Sequence, residues 1–84
     1  MRIYFITFRS VTPAQRGERL LQSHGHRCIL QRTPRWMQEN GCGYCLQIST
    51  DKIREVKALL DRAGLTYRKI YRPNQEGGME EITI

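Results

Sequence analysis

The segment Arg27–Ser49, RCILQRTPRWMQENGCGYCLQIS, decides the fold. Its first part, Arg27 to Thr33, centres on the apolar Cys28, Ile29 and Leu30, and Tyr44 to Ser49 alternates, with Tyr44, Leu46 and Ile48 on one face and Cys45, Gln47 and Ser49 on the other. Both read as strands. Between them Pro34 to Gly43 is polar and glycine-bearing, with no helical spacing, so two strands follow one another as a hairpin with a long loop. A connection of that length in a small domain is more often functional than idle.

Outward from this pair the chain reads symmetrically. Ile3 to Phe8 (IYFITF) is a β-branched and aromatic run, expected as the central strand. Thr12 and Pro13 are the expected cap and first position of a helix whose inward side is Ala14, Gly17, Leu20, Leu21 and His24, and which ends at Gly25. Gly17 costs about 1 kcal/mol of helix propensity relative to Ala. Its place on the inward side predicts close approach of this helix to the sheet. Beyond the hairpin, Thr50 or Asp51 caps a second helix with the amphipathic set Ile53, Val56, Leu59, Leu60 and Ala63, stopping at Gly64. Leu65 to Tyr71 is the fourth strand, Arg72 to Gly78 a polar turn, and Met79 to Ile84 a possible short fifth strand.

The order strand, helix, strand, strand, helix, strand is the α+β, ferredoxin-like βαββαβ arrangement, with two helices on one face of an antiparallel sheet. With 84 residues and no linker, residues 1–84 form one domain, which buries only about 60 to 65% of its unfolded surface. The hydrophobic fraction of 39% and charged fraction of 26% are those of a globular protein. No segment has the roughly 18 apolar residues of a membrane span, and Met1 to Phe8 lacks the layout of a signal peptide. The expected location is the cytoplasm. Three cysteines are an odd number for a disulfide framework, so free thiols, redox chemistry or a metal site are the better readings.

Chemistry concentrates in the hairpin loop. Cys42 stands between Gly41 and Gly43, which leave its sulfur accessible and their amides free to face a negative ligand. Arg32 and Arg35 are near in sequence and favour the thiolate over the thiol. Cys45 completes a C-x-x-C pair as a resolving thiol, or is simply a small residue on a sheet face. The pair opens onto a strand and lacks the helix start that activates thioredoxin-type dithiols. Trp36 and Met37 either plug the loop onto the domain or contact a partner.

Other classes have weaker claims. A metal site drawing on Cys42, Cys45, Cys28 and His24 or His26 matches no recognised spacing. The net charge of +6 suits RNA or an acidic protein face, and Tyr4, Phe8, Tyr67 and Tyr71 are candidates to line an open sheet face for nucleic acid, although core aromatics and solvated arginines explain the same facts. Paired carboxylates, a serine triad and a phosphate-binding glycine loop are absent from the sequence, which leaves hydrolase and kinase chemistry without support. No cofactor is expected.

The chain resembles the selenium/sulfur carrier protein-like family of small bacterial proteins. The likeness rests on the opening strand Tyr4 to Phe8, on Ser10, Thr12, Ala14, Glu18, Leu20 and Leu21, on the central motif Pro34, Arg35, Cys42, Gly43 and Leu46, and on Ile70 with Tyr71. It covers roughly residues 3 to 72. Two features depart from the family pattern: Trp36, Met37, Gln38 and Glu39 follow the P-R pair, and Cys45 is not a hallmark. The resemblance implies a carrier rather than a turnover enzyme. Cys42 would attack an activated sulfur or selenium donor and hold the chalcogen as a persulfide or selenosulfide, with Arg35 stabilising the thiolate. Cys45 would release the chalcogen through disulfide formation, and the partners would be a donor protein and an acceptor protein.

Overall fold

A computed structural model describes residues 2–32 and 43–83. The elements, in chain order, are β1 (Arg2–Phe8), α1 (Val11–Ser23), β2 (Arg27–Arg32), β3 (Tyr44–Thr50), α2 (Ile53–Arg62), β4 (Ile70–Pro73) and β5 (Met79–Ile82). The strands form one antiparallel sheet in the order β2-β3-β1-β4-β5, with β1 in the centre. This is the expected α+β, ferredoxin-like arrangement, and the fifth strand does form, beside β4.

Strand parity decides what is core. Tyr4, Ile6 and Phe8 of β1 and Leu46 and Ile48 of β3 pack with Ala14 and Leu21 of α1 and Val56 and Leu60 of α2, so both helices cover the same face. Fully burying each large aliphatic or aromatic side chain contributes about 1.5–3 kcal/mol, and this cluster is the main favourable term the chain has. The approach foreseen at Gly17 is present: a Cβ there would stand 3.2 Å from Leu46 Cδ1 and 3.3 Å from Phe8 Cζ.

The element ends depart from the sequence reading in instructive ways. Helix α1 starts at Val11 with Ser10 as the cap residue in extended backbone (φ −139°, ψ 167°), not at Thr12. Thr12 and Pro13 therefore lie inside the first turn, where a missing Pro amide costs nothing because those amides have no helical partner. Helix α2 starts after Lys52, whose amide donates to the Thr50 hydroxyl at 2.9 Å. Both helices stop as expected in left-handed glycines, Gly25 (φ 83°) and Gly64 (φ 70°). The following amides, of His26 and Leu65, reach back to the Leu21 and Leu60 carbonyls, the doubly bonded glycine stop. Strand β4 begins later than Leu65, at Ile70, although the Arg68 amide already donates to the Thr7 carbonyl at 2.7 Å. The turn into β5 is closed by Asn74 Oδ1, which accepts the amides of Glu76 and Gly78 at 3.0 and 2.9 Å.

Candidate functional site

The hairpin loop leaves the sheet where β2 ends and β3 begins, at the cross-strand pair Arg32 and Tyr44, with Phe8 of β1 next in line. Residues 33–42, which carry Arg35, Gly41 and Cys42 together with Trp36 and Met37, lie outside the described residues. Gly43, which follows Cys42 in the sequence, is half-buried at the start of β3.

The two described cysteines are both buried, on opposite faces of the sheet. Cys45 pairs across the ladder with Thr7 on one side and Gln31 on the other. It lies on the face that no helix covers yet has no exposed surface, and the Gln31 Nε2 stands 3.7 Å from its sulfur. The alternation of β3 therefore holds, but at Cys45 and Leu46 the strand is buried on both faces. Cys28 points the other way, under α1, where its thiol donates to the Glu18 carbonyl at 3.6 Å. Burial, and secondarily the Glu18 carboxylate, push the Cys28 thiol up to about 11. At neutral pH it is a thiol and a poor nucleophile.

This geometry breaks up the conceivable metal set. Cys28 lies opposite Ile48 and Cys45 opposite Gln31, on different faces, so no single ion can bind both. The His24 Nδ1 lies 3.0 Å from the Leu20 carbonyl, which is the usual employment of an imidazole at a helix end. Among the described residues no group of three His, Cys, Asp or Glu is placed to hold a metal.

The aromatic side chains suggested for an open face are also corrected. Tyr4 and Phe8 sit in the core under the helices, and Tyr67 packs against its margin. In a strand parity is absolute, so placing Ile6 in the core takes Tyr4 and Phe8 with it. Tyr71 does lie on the helix-free face, opposite Phe5.

One feature was not visible in the sequence. A cavity of about 650 Å³ is lined by Arg9, Ser10, Tyr67, Arg68 and Lys69, among others, and has no acidic residue in its lining. It lies at the same end of the sheet as Gly43, because Arg9 follows Phe8 and the Phe8 partner is Tyr44. Residues as far apart in the chain as Thr7 and Lys69, 62 positions, meet here through the pairing of Arg68 and Lys69 with Thr7. Lys69 also faces Glu81 at 3.5 Å. On α2, Asp61 pairs with Lys57 at 2.7 Å and, with the Tyr67 hydroxyl as a lesser cause, raises the Lys57 pKa. No described helix is long and apolar enough to cross a membrane.

Comparison with known proteins agrees with the motif reading. No curated protein and no solved structure matches the chain. One family model does, over residues 3–72, with the description "Putative Se/S carrier protein-like". The match spans both helices, the first three strands and most of β4. The chain belongs to the Se/S carrier protein-like family.

Proposed function

We propose that the protein carries sulfur or selenium between a donor and an acceptor protein, bound to Cys42 as a persulfide or selenosulfide. The observation that carries this reading is an elimination within a carrier family. Of the three cysteines, Cys28 and Cys45 are buried in the sheet, and the Cys28 thiol is held far from ionisation. Cys42 is the remaining sulfur, and it belongs to the family motif.

In this reading the Cys42 thiolate attacks the outer sulfur of a donor persulfide. A Cys42–sulfur bond forms as the donor S–S bond breaks, the donor leaves as a thiolate, and the proton stays on the transferred sulfur. One S–S bond replaces another and nothing is oxidised or reduced overall. A donor selenosulfide reacts likewise through selenium. Arg35 stabilises the attacking and departing thiolates, and Gly41 and Gly43 keep side-chain bulk away from the sulfur. The cationic end of the sheet, with Arg9 and Arg68, adds a positive field that favours the thiolate.

Two routes lead off the carrier. An acceptor nucleophile can take the outer sulfur directly, returning Cys42 as a thiolate. Alternatively Cys45 attacks the inner sulfur, releasing hydrosulfide and leaving a Cys42–Cys45 disulfide that a thiol reductant must reopen. The second route asks more of the fold. Cys45 has no exposed surface, and Tyr44 beside it is held in the ladder on both sides. Burial of Cys45 therefore favours direct transfer, with Cys45 as a packing residue. Transfer of radiolabelled sulfur from a donor persulfide protein tests the reading: wild type and Cys45→Ser take up label, and Cys42→Ala does not. Label on Cys42→Ala would refute it.

A further inference from the structure

The helix-free face of the sheet carries a continuous row that runs across its strands in register: Ile29 of β2, Gln47 of β3, Phe5 of β1, Tyr71 of β4 and Glu81 of β5. The neighbouring row holds Arg27, Ser49 and Ile3. Ile29 is 61% exposed and Ile3 39%, the two large apolar residues most open to solvent among those described, and both lie on this face. Phe5 and Tyr71 are half-buried cross-strand partners. From these observations we infer that this face binds single-stranded nucleic acid, with bases stacked on Phe5 and Tyr71 and phosphates drawn to Arg27.

Directly opposed side chains in an antiparallel pair have Cβ atoms about 5 Å apart, so the two rings make one flat strip on which successive bases can lie. Base–aromatic stacking is tolerant of sequence because every base has a π-face. Gln47 and Ser49 beside the strip supply amide and hydroxyl groups for base edges. Charge decides among occupants. The chain carries +6, and the one acid among the described residues of this face, Glu81, is paired with Lys69. A second copy seated on the face would set two +6 bodies in contact, whereas a polyanion is complementary. An acidic protein would satisfy the charge but gives no reason for a half-exposed aromatic pair on this face of the sheet. The inference does not depend on the carrier chemistry, since neither Phe5, Tyr71 nor Arg27 takes part in it.

Fluorescence anisotropy with labelled mixed-sequence oligonucleotides of about 12 nucleotides, one RNA and one DNA, lies within the length such sites take and tests the inference. Wild type binds at least one of them. Raising salt from about 50 to about 200 mM weakens binding roughly 2- to 3-fold for the phosphate contact at Arg27. Tyr71→Ala weakens it about tenfold. Ile29→Glu, at a solvent-open position where the fold is not at risk, weakens it to a similar degree, and urea melts verify that both variants are folded. No anisotropy change with either oligonucleotide overturns the inference. So does binding that survives both substitutions, or sedimentation that shows a wild-type dimer which Ile29→Glu converts to monomer. Sulfur uptake on Cys42 should be unchanged in Ile29→Glu, which keeps the two readings separable.

Discussion

The carboxylate of Glu18, on α1, accepts the backbone amide of Leu30, on the edge strand β2, at 3.1 Å. One helical turn on, Gln22 Nε2 donates to the Cys28 carbonyl at 3.4 Å. Residues four apart on a helix share a face, so this pair reaches over the edge of the sheet and occupies two of the backbone groups that β2 turns outward. An uncovered strand edge is a template for pairing with another chain; α1 closes this one with side chains.

Replacing Glu18 by Ala should lower stability by about 0.5–1.5 kcal/mol, the net worth of one hydrogen bond where water can partly substitute. Urea unfolding measures it. Glu18→Gln, which keeps an acceptor oxygen, should recover most of the loss. Light scattering at high concentration should show more association in Glu18→Ala than in wild type.

Gly17 sets how near α1 can lie to the sheet. An added Cβ gains about 1 kcal/mol of helix propensity but meets Leu46 and Phe8 at 3.2 and 3.3 Å, both buried and unable to withdraw. Overpacking a core costs about 1–3 kcal/mol, so Gly17→Ala is expected to be destabilising by about 1 kcal/mol net in the same assay. A stabilised Gly17→Ala would mean that the helix can shift outward without loss.

Cys28 ties stability to alkaline pH. Its folded pKa is about 11 against 9.0 for an unperturbed thiol, so between those values the unfolded chain loses a proton that the folded one keeps. Stability from this group is complete below pH 9 and falls as pH rises to 11. The loss is on the order of 2 kcal/mol. Tyrosines and lysines titrate over the same range, so the informative quantity is a difference: urea melts of wild type should decline more steeply than those of Cys28→Ala.

Thiol accessibility separates the cysteines. With iodoacetamide at neutral pH the native protein should be alkylated at Cys42, whereas the denatured chain reacts at all three cysteines. Peptide mass mapping locates the adduct. Cys28 is protected by its raised pKa and by burial, and Cys45 by burial between Thr7 and Gln31. Arg35→Ala should slow alkylation of Cys42 by a few-fold, since the thiolate is the nucleophile.

Much of this was legible in the chain. The alternation of Tyr44 to Ser49 and the glycine stops at Gly25 and Gly64 reported strand parity and helix ends, because period and left-handed backbone are local properties. The cap of α1 was misplaced because Ser10, Thr12 and Pro13 all suit a helix start, and only the turn out of β1 chooses among them. The choice of face for Tyr4 and Phe8, open or core, is left undecided by the sequence for a different reason. Ile3 to Phe8 is apolar throughout, so the run alone does not say which parity faces the helices. The burial of Cys45 and the cationic cavity at Arg9 and Arg68 arise from contacts between distant segments, and nothing in the local sequence encodes them. Cys42 was found by its glycine flanks and its motif, and its geometry lies outside the described residues.

The most direct test of the carrier reading is intact mass spectrometry of the protein after incubation with a cysteine desulfurase and either cysteine or selenocysteine, so that the chalcogen arrives as an enzyme-bound persulfide or selenosulfide and no oxidant is needed. Wild type and Cys45→Ser should each gain one sulfur or selenium atom, removable by a thiol reductant, and Cys42→Ala should gain none. An adduct that persists in Cys42→Ala, or a wild-type protein that takes up no chalcogen from either source, would contradict the assignment of Cys42 as the carrier.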